Sequence, residues 1–129
     1  MTMEPDGAET DGKSGFSLCL TTDKTEYTVG ETVRMTIAAA NHTSSDLSLS
    51  FKDAQRFDFY IEQEGKEVWR WSQGRMFAQE LGHEKLGPGA SLGFSAKCEK
   101  KLEPVLYQIT GMILADPSPL IARINIVIR

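Results

Sequence analysis

From Phe16 to Ile128 the chain alternates apolar and polar residues with a period of two, the spacing that puts successive side chains on opposite faces of a strand. Phe16, Leu18 and Leu20 share one face of a first strand. Val33, Met35, Ile37 and Ala39 do the same in a long strand over 32–41. Leu47, Leu49 and Phe51 alternate with Asp46, Ser48 and Ser50, and Phe57, Phe59 and Ile61 resume the pattern after a break at 52–55. Gly65, within 63–66, predicts a hairpin turn into a strand over 67–72. Further strands are expected over 91–98, over 105–115 with an interruption at Gly111, and over 120–128, where Leu120, Ala122, Ile124, Ile126 and Ile128 alternate with Arg123 and Asn125. Residues 76–81 read as one short helical turn and 82–89 as a glycine-rich loop.

About eight short strands with turn signals between them predict an antiparallel sandwich of the immunoglobulin-like type. A parallel sheet would need crossover helices for which the chain has no residues. Residues 1–14 are rich in Gly, Asp, Glu and Thr, have no periodicity, and are expected to be a disordered leader to a single domain over 15–129. That leader has no apolar stretch of the kind a secretory signal requires, so with Met1 as the native start the expected location is the cytoplasm.

Composition narrows the function. The 14 Lys and Arg are scattered among 18 Asp and Glu, giving a net charge of −4, which speaks against a nucleic-acid partner. No stretch is long and apolar enough for a membrane helix. Strand parity puts Cys19 on the outer face of its strand and Cys98 on the inner face of its own, so the pair is expected to remain as thiols, not a disulfide. His42 and His83, the only histidines, both fall in turns, without a nucleophile and an orienting group at a spacing that suggests catalysis. No cluster of Cys, His and carboxylates suggests a metal, and the glycines of 82–89 lack the Lys-Ser/Thr ending and following helix of a phosphate loop. Asn41-His42-Thr43 is formally a glycosylation sequon, relevant only to a secreted chain. The expectation is a binding domain that is not an enzyme and needs no cofactor.

Aromatic residues concentrate over 57–77. Phe57, Phe59, Trp69, Trp71 and Phe77 read as a structural cluster, with an exposed stacking platform for a sugar or peptide as the alternative. Here the chain resembles the intracellular proteinase inhibitor (BsuPI-type) domain family. The matching residues are Gln55-Arg56-Phe57-Asp58-Phe59, then Val68-Trp69-Arg70-Trp71-Ser72 after Gly65, then Phe77 with Gln79, Leu86-Gly87-Pro88-Gly89 leading to Phe94, and Tyr107-Gln108-Ile109-Thr110-Gly111. Asp53-Ala54, Lys97-Cys98 and Val105-Leu106 depart from the family's usual residues.

The resemblance implies an immunoglobulin-like sandwich and inhibition of an intracellular, subtilisin-like serine protease of bacterial type. Such an enzyme takes an extended segment into its cleft as an added strand. Two loops qualify for that role: 82–89, with Leu86 as apolar anchor beside Gly87 and Pro88, and 116–120, with Pro117, Pro119 and Leu120. The turn habits of Gly and Pro make a plain connecting turn the first reading of each. The other readings are a protein- or glycan-binding module without inhibitory activity, and an assembly domain using the last strand as a sticky edge, with monomer or weak dimer as the expected state.

Overall fold

The computed structural model describes residues 15–129; the leader over 1–14 lies outside the described residues. Ten strands follow in order: β1 (Phe16–Thr22), β2 (Glu26–Tyr27), β3 (Val33–Asn41), β4 (Leu47–Phe51), β5 (Phe57–Gln63), β6 (Lys66–Arg70), β7 (Gly82–Leu86), β8 (Ser91–Cys98), β9 (Leu106–Ile113) and β10 (Leu120–Ile128). One sheet has the order β1-β3-β8, the other β2-β10-β9-β5-β6, and β4 and β7 form a separate two-stranded ribbon. All pairings are antiparallel except the short one between β2 and β10, which is parallel.

The period of two has the consequence it predicts. Leu18 and Leu20 of β1, Val33, Met35, Ile37 and Ala39 of β3, Phe59 and Ile61 of β5, Ile109 and Ile113 of β9 and the whole apolar row of β10 are buried together in one core between the two larger sheets. The apolar row of the last strand is therefore covered, although on the side away from β9 the strand pairs only at Val127 and Ile128. It pairs with β9 along most of its length and with β2 at its end, and its apolar residues face inward.

Four local expectations need correction. There are ten strands instead of eight, and among the described residues no helix or helical turn. Residues 76–81 run without regular structure: six residues, five of them good helix formers, are too few to offset the cost of nucleating a helix, and Phe77 and Ala78 are held by contacts elsewhere in the chain. The expected loop over 82–89 begins instead as strand β7, paired from Gly82 with Phe51 to Leu86 with Leu47. Gly111 does not interrupt its strand. It lies inside a continuous β9, and a Cβ there would meet Leu20, Phe59 and Ile37 at 3.0–3.3 Å, so the missing side chain lets the sheets approach.

The hairpin at Gly65 forms as predicted. Gln63 pairs with Lys66 across the two-residue turn Glu64-Gly65, both with positive φ (49° and 80°), the twist that matches a right-handed ribbon. Cys98 is a buried free thiol opposite Val33, whereas Cys19 lies opposite Ala38 on the outer face.

Candidate functional site

The site builds outward from one buried carboxylate. Asp58 is 3 % exposed, although its neighbours Phe57 and Phe59 occupy the expected apolar positions of β5. Burying a carboxylate is costly unless its oxygens are satisfied. Here Oδ1 accepts the backbone N–H of Phe59 at 2.8 Å and of Ser72 at 3.1 Å, and Oδ2 accepts the Ser72 hydroxyl at 2.5 Å and Arg70 Nη1 at 3.1 Å. Arg70 also donates to Glu67 through Nε and Nη2, and its guanidinium lies 4.5 Å from the Tyr60 ring centre. Glu67 first, and Asp58 after it, raise the Arg70 pKa above its ordinary value. The hairpin β5–β6 is thus clamped at the point where the chain leaves it.

The aromatic cluster lies alongside this clamp. Phe57 stacks on Phe94 of the opposite sheet at 4.8 Å, meets Phe59 edge-on at 5.7 Å and contacts Trp71 at 4.3 Å. Phe59 is fully buried, while Phe57, Trp69 and Trp71 are half-buried against the core. The cluster closes the gap between the sheets at the β6 and β8 edges. Trp71 also contacts Phe77 at 5.9 Å and carries the Arg75 guanidinium 4.3 Å from its ring centre. With Phe57, Phe77 and Arg75 on its ring, Trp71 offers little face for a sugar to stack on.

From Trp71 the chain makes a tethered excursion to Leu81. Trp71 N–H donates to Phe59 O, Arg75 N–H closes a turn to Ser72 O, and Arg75 Nε donates to Trp71 O at 2.8 Å. Ala54 N–H donates to Ala78 O at 2.9 Å, which fixes the returning limb beside the β4–β5 connection. Between these ties Met76 is 97 % exposed, and Leu81 at the end of the excursion is 83 % exposed. The local sequence of this segment reads as helix and hides the excursion. No local signal separates it from a helix, because the contacts of Arg75 and Phe77 with Trp71 appear only in the folded chain.

The two loops selected from sequence are placed differently. Leu86 is 5 % exposed and Leu120 4 %, both turned into the protein, so neither side chain is available as an anchor. Pro88, Pro117 and Pro119 are exposed and Gly87 is half-buried. The turn at Gly87-Pro88-Gly89 is organised by buried Asn41, whose side chain donates to Ser45 O and Leu86 O and whose backbone carbonyl accepts from Gly89 N–H. That burial also occupies the asparagine of the sequon. The 116–120 turn joins the other end of the ribbon through the bridge between Ser50 and Asp116. The two loops are therefore held apart by the length of the β4–β7 ladder, about 13 Å for four residue steps. Pro117 and Pro119 line a shallow cleft of about 180 Å³ with Lys52, Asp53 and Gln55, adjoining Ala54 and so the base of the 71–81 excursion.

Each histidine hydrogen-bonds a serine: His42 Nε2 with Ser17 Oγ at 2.8 Å and His83 Nδ1 with Ser50 Oγ at 3.3 Å. Among the described residues neither ring bonds a carboxylate that would orient it as a base, and no three His, Cys, Asp or Glu side chains group as metal ligands. No helix is long and apolar enough to cross a membrane.

The architecture is shared with solved structures of low sequence identity. The C-terminal domain of wzt superposes with a TM-score of 0.55 at 12% identity, over 98% of this chain and 80% of that one. The CARDB domain of a Pyrococcus furiosus protein, solved with di-metal ions, gives 0.55 at 10% identity over 93% and 89%. A Pseudomonas fluorescens alkylpurine DNA glycosylase bound to DNA gives 0.50 at 13% identity, over 89% of this chain but 30% of the enzyme. These likenesses show an immunoglobulin-like fold and nothing of function. No curated protein matches the chain. A family model described as intracellular proteinase inhibitor matches residues 20–118, a span that contains Asp58, the aromatic cluster and the 71–81 excursion, and on that match the chain belongs to the BsuPI family of intracellular proteinase inhibitors.

Proposed function

We propose that the chain is a non-catalytic inhibitor of an intracellular, subtilisin-like serine protease, acting in the cytoplasm as a single domain. The observation that carries this reading is family membership across residues 20–118. The geometry supports it: a protein that blocks a protease cleft must present a segment whose backbone is already ordered, so that little entropy is lost on binding. The 71–81 excursion, tied at Ser72, Arg75 and Ala78, meets that requirement without a disulfide. The exposed prolines Pro117 and Pro119 lie beside its base and offer secondary contacts, as Pro88 does on the far side of the ribbon.

The rival reading, a sugar-binding module built on the tryptophans, finds less support, because the Trp71 ring is already occupied by Phe57, Phe77 and Arg75. The deciding experiment is a titration of the purified chain against an intracellular subtilisin with a peptide substrate. Stoichiometric or saturable loss of activity is expected, and full activity at high micromolar chain would reject the inhibitor reading.

A further inference from the structure

We infer that Met76 is the side chain that enters the primary specificity pocket of the target protease, and that this pocket is apolar. The inference rests on the inhibitor reading above and adds to it the residue and the pocket chemistry.

Both neighbours of Met76 are held against Trp71. Arg75 is held by its guanidinium over the Trp71 ring and by its Nε on Trp71 O; Phe77 contacts the same ring. Residues 75–77 follow the turn that Arg75 N–H closes on Ser72 O and belong to no strand. With 75 and 77 drawn to Trp71, residue 76 is driven outward, and its 97 % exposure is the result. The projection is fixed on both flanks, by the Asp58 bonds to Ser72 before it and the Ala78 bond to Ala54 after it.

The backbone is equally prepared. Among the described residues the N–H and C=O groups of Met76 and Phe77 make no backbone hydrogen bond within the chain. They remain available for the main-chain ladder through which a protease cleft reads an extended peptide.

The chemistry of the pocket follows from which side chain is offered. Arg75 would suit an acidic pocket, but its charge and its Nε are already engaged by Trp71. Met76 is unbranched, flexible and apolar, and fills a deep hydrophobic slot at small cost in shape. Leu81, also exposed, is five residues further on, beyond the turn that Glu80 N–H closes on Ala78 O at 3.0 Å. It can serve a second contact along the cleft but not the same pocket.

The test uses the full chain and a subtilisin-like protease with an apolar primary pocket. Met76→Asp is expected to weaken inhibition by roughly 100-fold, since it would bury an unpaired carboxylate, while Met76→Leu stays within about fivefold of wild type. Met76→Lys is expected to fail on this enzyme and to gain inhibition of a protease with an acidic pocket. Because the side chain is solvent-exposed, near-ultraviolet circular dichroism and the thermal midpoint of each variant should match wild type; were Met76→Asp to unfold, Met76→Lys gives the same reading. If the wild type inhibits and Met76→Asp and Met76→Lys inhibit equally well, the assignment of Met76 is overturned and the inhibitor reading stands. If the wild type does not inhibit, both fall.

Discussion

Ser72 donates twice to Asp58, through its hydroxyl to Oδ2 at 2.5 Å and through its backbone N–H to Oδ1 at 3.1 Å. The two residues are fourteen positions apart, on either side of the β5–β6 hairpin, and both stand in the segments by which the family resemblance is recognised. The pair explains why those segments have polar residues at all: a buried carboxylate at the start of β5 needs donors, and Arg70 and Ser72 bring them.

Removing the carboxylate leaves those donors without an acceptor. Asp58→Ala is expected to lower stability by about 3 kcal/mol, toward the lower end for a broken buried pair because Arg70 keeps Glu67. Ser72→Ala, which removes only the hydroxyl, should cost about 1–2 kcal/mol. Urea unfolding followed by tryptophan fluorescence measures both, and equal costs for the two variants would contradict the role assigned to the carboxylate.

The Arg75–Trp71 contact separates local order from global stability. Arg75 is exposed, so Arg75→Ala should cost less than about 1 kcal/mol in unfolding free energy. The loss of its bond to Trp71 O and of its ring contact should nonetheless loosen the excursion. The expected outcome is faster hydrogen exchange at the amides of 72–78, an unchanged thermal midpoint, and inhibition weaker by about tenfold through the added ordering cost. Exchange rates equal to wild type would mean that the ties at Asp58 and Ala54 suffice alone.

What the sequence discloses here depends on where each residue's partners lie. The alternation of Val33, Met35, Ile37 and Ala39, or of Leu120 to Ile128, reports burial directly, because a strand covered on one face needs no other information. Strand β7 is silent for the converse reason: His83, Glu84 and Lys85 are all exposed in a two-stranded ribbon, so only Leu86 has an apolar side to match. Met76-Phe77-Ala78-Gln79-Glu80-Leu81 has helical propensity, which loses to the contact of Phe77 with Trp71 and the bond from Ala54 to Ala78, neither of them visible locally. Leu86 and Leu120 were legible as apolar residues beside prolines, but their direction was not, and both point inward. Asp58 looked like the polar position of an alternating strand; its burial follows from donors brought back by the hairpin.

Glu31 makes the acid limb of stability testable. Its carboxylate accepts from Lys24 Nζ, from Thr28 N–H at 2.8 Å and from Thr28 Oγ1 at 3.1 Å, and these bonds, the Lys24 one foremost, bring its pKa down to about 2 from 4.5. A carboxyl group with a depressed folded pKa stabilises the protein above its unfolded value and gives that contribution back as pH falls toward the folded value. The contribution is therefore present at pH 5 and above and is lost between 4.5 and about 2. Glu31→Gln should show a shallower fall of thermal midpoint with pH across that window than wild type. Parallel curves would show that the Thr28–Glu31 turn owes nothing to the charge.

Adjacent residues of β9, on opposite faces of its sheet, allow packing to be tested in both directions. Thr110 is buried between Tyr60 of β5 and Arg123 of β10, and its hydroxyl has no hydrogen-bond partner, a polar group desolvated without return. Thr110→Val replaces it by a methyl of nearly the same size and should leave stability unchanged or raise it by up to about 1 kcal/mol. Gly111 has the opposite problem: a Cβ there would press Leu20 Cδ1 at 3.0 Å, Phe59 Cε1 at 3.2 Å and Ile37 Cδ1 at 3.3 Å, contacts drawn from both sheets. Each is the far end of a side chain and can yield, so Gly111→Ala should fold but lose about 1–3 kcal/mol, and Gly111→Val should lose more. Chemical denaturation of the three variants orders them: Thr110→Val at or above wild type, Gly111→Ala below it, Gly111→Val lowest. A Gly111→Ala variant as stable as wild type would mean that the sheets are not packed against each other at this glycine as closely as the contacts require.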